Sequence, residues 1–171
     1  TFMFSSQNEQ DNRYYAKLSG LPMLEPSTVA EAKEMTIYAF ELSEKLQKPV
    51  LLRTTTRINH SNAFVTLGDI QKPRTMGDFV KDPFRYVTVP AVSRQLHVKL
   101  LDVLAEAEEI AESCPHNQVS GEGDLGVICN GVSLNYVQDA VQDLGLTGRV
   151  KVLRLGFSHP MPRNRVVQFL Q

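Results

Sequence analysis

Two runs of polar residues carry most of the side chains in this sequence that could bind a ligand. The first run, residues 5–13, holds two hydroxyls, four amides, two carboxylates and a guanidinium in nine consecutive positions. The second run, residues 53–61, contains two arginines, three threonines, an asparagine, a histidine and a serine. Each run could be the rim of a binding site, and the alternative is a polar helix entry for the first run and a hydrophilic loop for the second.

Short apolar segments precede both runs and predict the elements that position them. Residues 2–4 suit the end of a buried strand, and residues 50–52 form a wholly apolar strand of the kind found in parallel sheets. Ligands of open α/β sheets bind at the carboxyl ends of the strands. We therefore predict that the two polar runs lie at successive strand ends and face one cleft.

The candidate residues for lining this cleft come from both runs, and they are Ser6, Gln7, Asn8, Asp11, Arg13, Arg57 and His60. Our hypothesis is that Arg13 or Arg57, assisted by Gln7, Asn8 or His60, lies near a substrate carboxylate or the cleft between domains, since a guanidinium suits two-point binding of a carboxylate. A structural alternative stays open, in which Asp11 and Arg13 pair with each other or with the loop of Arg57 and brace the domain. We assign no catalytic residue and no metal ligand to the chain.

The overall composition argues against several classes of function. The formal net charge of -1 gives no electrostatic reason to expect nucleic acid or an anionic membrane as a partner. Two cysteines, Cys114 and Cys129, predict no disulfide framework, and four scattered histidines lack metal-ligand spacing. No apolar run approaches the roughly 18 residues of a membrane span. A reducing, cytoplasmic compartment is the expectation.

The rest of the chain predicts an α/β fold with alternating helices and short strands. Thr28 and Glu31 match a capping box before the most regular helical pattern in the sequence. The predicted helices are residues 8–18, 28–46, 91–113, 133–144 and 162–170, and the predicted strands are residues 22–25, 50–52, 125–129 and 150–155. Residues 67–82 predict a surface linker, residues 84–89 an extended piece and residues 157–162 a rigid loop.

Residues 121–126 spell the pattern GxGxxG, which occurs in dinucleotide-binding proteins. In those proteins the glycines follow a strand and open a helix, whereas here they precede a predicted strand. We interpret this segment as a turn.

Three segments resemble the large subunit of the indolepyruvate:ferredoxin oxidoreductases. They read SSQNEQDNRYYA at residues 5–16, PMLEPS at residues 22–27 and PVLLRTTTR at residues 49–57. Shorter matches are CPHN at residues 114–117, NGVS at residues 130–133 and HPMP at residues 159–162, and the similarity follows the same order along essentially the whole chain.

The resemblance implies a division into parts of larger domains. Residues 1–65 would be the C-terminal part of a thiamine pyrimidine-binding (transketolase-like) domain, and residues 66–120 a connector containing the long helix. Residues 121–171 would begin a transketolase C-terminal-like domain. The sequence also begins at Thr1 rather than Met and stops after a β-α-β-α unit. We expect a fragment that is inactive by itself.

For the longer protein, the resemblance implies oxidative decarboxylation of arylpyruvates such as indolepyruvate. The implied cofactors are thiamine diphosphate, magnesium and iron–sulfur clusters, none of them bound completely by this chain. The implied partners are a small beta subunit, ferredoxin and coenzyme A. Two alternatives stay open: an oxidoreductase for pyruvate or branched-chain 2-oxoacids, and a non-catalytic interaction domain that uses the long helix as a docking surface.

Overall fold

A computed structural model of the chain describes residues 11–70 and 77–171. The predicted strand at residues 2–4 and the candidates Ser6, Gln7 and Asn8 lie outside the described residues. In chain order the elements are α1 (Arg13–Ser19), β1 (Met23–Leu24), α2 (Val29–Leu46), β2 (Leu51–Leu52), α3 (Thr56–Asn59), α4 (Pro83–Tyr86), α5 (Pro90–Glu112), β3 (Asn117–Gly121), β4 (Leu125–Asn130), α6 (Ser133–Asp143), β5 (Val150–Leu155), β6 (Phe157–His159) and α7 (Arg163–Leu170).

The strands form two small sheets of three strands each. The first has the order β2-β1-β6, with β1 parallel to β2 and antiparallel to β6. The second has the order β3-β5-β4, with β4 parallel to β5 and β3 antiparallel to it. The α/β class is confirmed. The boundaries after residues 65 and 120 stay a prediction, and β6 from the last segment pairs with β1 from the first.

Helix α2 follows its predicted pattern closely. The Thr28 hydroxyl accepts a hydrogen bond from the Glu31 backbone N–H at 3.2 Å, which satisfies a donor that the helix itself leaves unpaired. Met35, Leu42 and Leu46 are buried on the predicted apolar stripe. Burial of this stripe against the rest of the core is what holds α2 in place, since propensity alone stabilises an isolated helix only marginally.

The main hydrophobic core lies between α2, α5 and the first sheet. Its buried members are Leu24, Met35, Leu42, Leu46, Ala107, Ala111, Cys114 and Phe157. Asn117 is 1% exposed, and its side chain connects α5 to β6. The side-chain Nδ2 donates to the Ala111 carbonyl at 2.8 Å, and the side-chain Oδ1 accepts from the Phe157 N–H at 2.8 Å. These bonds attach β6 to the C-terminal end of α5.

Two predictions about local structure are wrong, and one strand was missed. The extended piece at residues 84–89 is in part the short helix α4, because the Asp82 carboxylate accepts from the Phe84 N–H at 3.1 Å and Pro83 occupies the first helical position. Half of the rigid loop at residues 157–162 is strand β6. Strand β3 was not predicted at all. The connection at residues 122–124 between β3 and β4 agrees with the predicted turn.

Candidate functional site

The candidate site is built around Glu25, an acidic residue that is only 1% exposed. Glu25 directly follows β1, and Arg53 directly follows β2. Because β1 and β2 are parallel and in register, their carboxyl ends meet at one edge of the sheet. The Arg53 Nη1 donates to Glu25 Oε2 at 2.6 Å, and the Arg53 side chain is 14% exposed. This is a largely buried ion pair.

Asn130, the last residue of β4, brings the second sheet to the same place. Its side-chain Nδ2 donates to Glu25 Oε1 at 2.9 Å, so each Glu25 oxygen already accepts a hydrogen bond. Gly131 follows with φ +51°, and a Cβ at that position would lie 3.6 Å from Glu25 Oε2. The positive φ favours glycine where the chain leaves β4 beside the carboxylate. Glu25 therefore joins the two sheets.

Arg13 and Asp11 form a two-point ion pair in front of this network. Arg13 Nε donates to Asp11 Oδ1 at 2.7 Å, and Nη2 donates to Oδ2 at 2.5 Å. These hydrogen bonds hold the pKa of Asp11 at about 2, below its ordinary value of 3.8, and they raise the pKa of Arg13. The Arg13 Nη1 also donates to Asn130 Oδ1 at 3.4 Å, which connects the pair to the Glu25 network.

A cavity of about 330 Å³ lies against these groups, and we call it the Glu25 cleft. Its lining residues are Asp11, Arg13, Tyr14, Lys17, Met23, Glu25, Asn130, Ser158 and His159. Arg13 and Lys17 are the cationic side chains of the lining, and Arg13 is paired with Asp11 while Glu25 is paired with Arg53. A small anion in the cleft would meet Lys17 and the N–H donors of Arg13 that Asp11 does not engage.

Strand β6 contributes Ser158 and His159 to the cleft. The Ser158 hydroxyl donates to the Met23 carbonyl at 3.5 Å, and the Cα atoms of His159 and Met23 are paired across the two strands. Burial, and secondarily the positive charge of Lys17, lower the pKa of His159, so its imidazole is neutral at neutral pH. The cleft thus combines a cationic part and a neutral polar part.

The described candidates from the sequence lie in two different cavities. Asp11 and Arg13 line the Glu25 cleft. Arg57 and His60 line a separate cavity of about 180 Å³, because the chain turns into α3 four residues after β2. The predicted single cleft at the strand ends therefore contains only the first pair among the described candidates. The predicted alternative in which Asp11 and Arg13 pair with each other agrees with the observed contact.

Sequence reasoning missed Glu25, Arg53, Asn130 and His159. A signal for the first two was present, since each is a charged residue that directly follows an apolar strand. Asn130 is likewise a polar residue directly after a predicted strand, but its contact with the cleft, like that of His159, depends on how the second half of the chain folds back.

The described residues do not fit the metal cofactors that the resemblance implies. Residues 11–70 and 77–171 contain no group of three or more His, Cys, Asp and Glu side chains that could hold a metal ion. The chain has two cysteines, whereas iron–sulfur clusters are held by four thiolates. The two acidic residues of the cleft are already engaged by arginines. Within the same described ranges, no helix is both long enough and apolar enough to cross a membrane.

Comparison with known proteins gives a consistent family. No protein-family model matches the chain. Curated relatives named "Indolepyruvate oxidoreductase subunit IorA" are 48% identical in Methanothermobacter thermautotrophicus, 45% in Thermococcus kodakarensis and 40% in Archaeoglobus fulgidus. Each match covers 98% of this chain but 27% of the relative's length. This chain belongs to the family of the IorA subunits, of which it spans about a quarter.

Proposed function

We propose that this chain is part of an indolepyruvate oxidoreductase. The protein would oxidatively decarboxylate arylpyruvates, with coenzyme A as acyl acceptor and ferredoxin as electron acceptor. The observation that carries the proposal is the identity of 40–48% to relatives that share this name, over 98% of the chain. Their name also describes a subunit, which supports a partner chain. Thiamine diphosphate, magnesium and the iron–sulfur clusters would be held by other parts of the protein.

In this proposal, Arg13 binds the carboxylate of the substrate in the Glu25 cleft. Asp11 engages one edge of the guanidinium, through Nε and Nη2, and Asn130 accepts from Nη1. A guanidinium has five N–H donors, so two remain for a ligand. The Asp11 pair holds the guanidinium in one orientation, which reduces the entropy that a bound carboxylate would otherwise have to remove.

Glu25 would support the site rather than contact the substrate. Both its oxygens accept hydrogen bonds, and an anionic substrate would be repelled by an exposed carboxylate. Arg53 neutralises Glu25 and is in turn held by Asn12, whose Oδ1 accepts from Arg53 Nε at 2.6 Å. The buried pair fixes the ends of β1 and β2, and through them the wall of the cleft.

The test uses the full-length protein with its partner subunit, and it measures indolepyruvate-dependent reduction of a low-potential dye. Arg13→Ala should raise KM for indolepyruvate by about 10–100-fold, since a hydrogen-bonded charge contributes about 1.5–3 kcal/mol. Arg13→Lys should raise KM less than Arg13→Ala does, because lysine keeps the positive charge but lacks the paired N–H donors of the guanidinium. Arg94→Ala is the matched control, since Arg94 is exposed on α5 and should leave KM unchanged.

Three outcomes would count against these proposals in different ways. An unchanged KM in Arg13→Ala removes Arg13 from the substrate site. If kcat/KM of the wild-type protein is higher for pyruvate or a branched-chain 2-oxoacid than for indolepyruvate, that acid is the substrate and indolepyruvate is not. A wild-type protein that reduces the dye with none of these acids refutes the proposed function itself.

A further inference from the structure

Strand β6 gives the Glu25 cleft a polar group that the binding of a carboxylate by Arg13 does not use. This group is the imidazole of His159, which lines the same cavity as Arg13 and Asn130. No group in residues 11–70 or 77–171 forms a hydrogen bond with either of its ring nitrogens. The side chain is half-buried, and within those two ranges nothing engages its N–H donor.

The position of His159 is well fixed by its surroundings. Its strand is held by pairing with β1, and Phe157 two residues earlier is fully buried in the main core. Pro160 follows and is also buried. The backbone from which the imidazole extends is therefore held in place beside β1.

We propose that His159 is a second substrate-contacting residue, which donates a hydrogen bond to the keto oxygen of a 2-oxo acid whose carboxylate is bound by Arg13. This inference rests on the proposed function and adds a specificity-determining residue to it. In a 2-oxo acid the carboxylate and the keto group are on adjacent carbon atoms, so one cavity can hold both contacts. A volume of about 330 Å³ lies within the range of small-molecule sites.

The charge state of His159 fits an uncharged acceptor. Burial and the nearby Lys17 keep the ring neutral at neutral pH, and a neutral imidazole has one N–H donor and one acceptor nitrogen. The other titratable groups lining the cleft are Asp11, Arg13, Tyr14 and Glu25. The two acidic groups are paired with arginines, so neither charge would be left to keep the imidazole protonated. In this arrangement Arg13 binds the carboxylate and the neutral imidazole of His159 donates to the ketone.

The test compares indolepyruvate with indole-3-propionate in the full-length holoenzyme. The propionate keeps the carboxylate and the indole ring but has a methylene group in place of the ketone. His159→Ala should raise KM for indolepyruvate by roughly 3–10-fold, the range of one neutral hydrogen bond, with a smaller change in kcat. The inhibition constant of indole-3-propionate should stay within about twofold, because the lost contact is absent from its complex.

Matched variants separate this contact from a structural effect. His159→Gln keeps an amide donor and should restore KM to within about threefold of the wild type. Arg13→Ala should weaken both ligands, since both carry the carboxylate. His97→Ala, an exposed histidine on α5, should change neither.

The outcomes also separate this inference from the proposed function. An unchanged KM for indolepyruvate in His159→Ala overturns the role of His159. So does an equal weakening of indolepyruvate and indole-3-propionate binding in both His159→Ala and His159→Gln. Neither result affects the proposed function if the wild-type protein oxidises indolepyruvate. If the wild-type holoenzyme does not oxidise indolepyruvate, the proposed function fails and this inference fails with it.

Discussion

Replacing Glu25 by Gln should lower the free energy of unfolding by about 2–4 kcal/mol. Glu25 is 1% exposed and its partner Arg53 is 14% exposed, so the substitution leaves a mostly buried guanidinium without its counter-charge. Breaking a buried pair in this way costs about 3–5 kcal/mol. Two features reduce that cost: Asn12 still accepts from Arg53, and the Gln oxygen can still accept from Asn130.

Urea unfolding followed by circular dichroism measures this change. With a slope of about 1–3 kcal/mol per molar urea, the midpoint should fall by roughly 1–2 M. Asp11→Asn is the matched control, because it removes a carboxylate from an exposed pair and should cost less than about 1 kcal/mol. If Glu25→Gln unfolds within about 0.5 kcal/mol of the wild type, Glu25 does not hold the two sheets together.

Three further predictions concern the same scaffold. Asn117→Ala should lower the free energy of unfolding by about 2–4 kcal/mol, because it removes the hydrogen bonds of a buried amide and takes the Asn117 acceptor from the Phe157 N–H, whereas exposed Gln118→Ala should lower it by under about 1 kcal/mol. Gly156→Ala should lower Tm by several degrees, because its Cβ would lie 2.6 Å from a backbone oxygen, while Gly68→Ala, with no atom within 4 Å, should leave Tm nearly unchanged. The folded-state pKa of Asp11 is about 2, below its ordinary value of 3.8. The stability that the ionised carboxylate contributes to the folded state should therefore be complete above about pH 4 and should be lost as the pH falls through 2. Because the Asp11 side chain is 39% exposed, the free energy of unfolding of Asp11→Asn should be lower than that of the wild type by under about 1 kcal/mol at pH 7. This difference should vanish below about pH 2. An equal difference at both pH values would contradict the assignment.

The rule that ligands collect at the carboxyl ends of parallel strands directed the prediction to the edge of the sheet where β1 and β2 end. The polar side chains of residues 53–61 predicted that Arg57 and His60 would also lie at this edge. Arg57 lies on α3 and His60 directly follows it, and both line another cavity. The residues that meet at the edge are the first ones after each strand, Glu25 and Arg53.

Periodicity predicted the long helices and the buried strands because each contains its own pattern. Strands β3 and β6 carry no such pattern: β3 is exposed along most of its length, and β6 has three residues before a proline. Both are strands because of partners far away in the sequence, β5 for one and β1 for the other. Tertiary pairing of this kind is not encoded in a local window.

The pairing of β6 with β1 has a consequence for the order in which contacts form while the chain is synthesised and folds. The hydrogen bond from Ser158 to Met23 spans 135 residues, and that from Asn130 to Glu25 spans 105. Contacts of such high sequence separation form late, since a long loop must close before they contribute. During synthesis on the ribosome, the N-terminal wall of the cleft would emerge well before β4 and β6. Until they arrive, the carboxylate of Glu25 lacks Asn130, and the edge of β1 at Met23 lacks its neighbour strand, which leaves the nascent chain open to pairing with other strands.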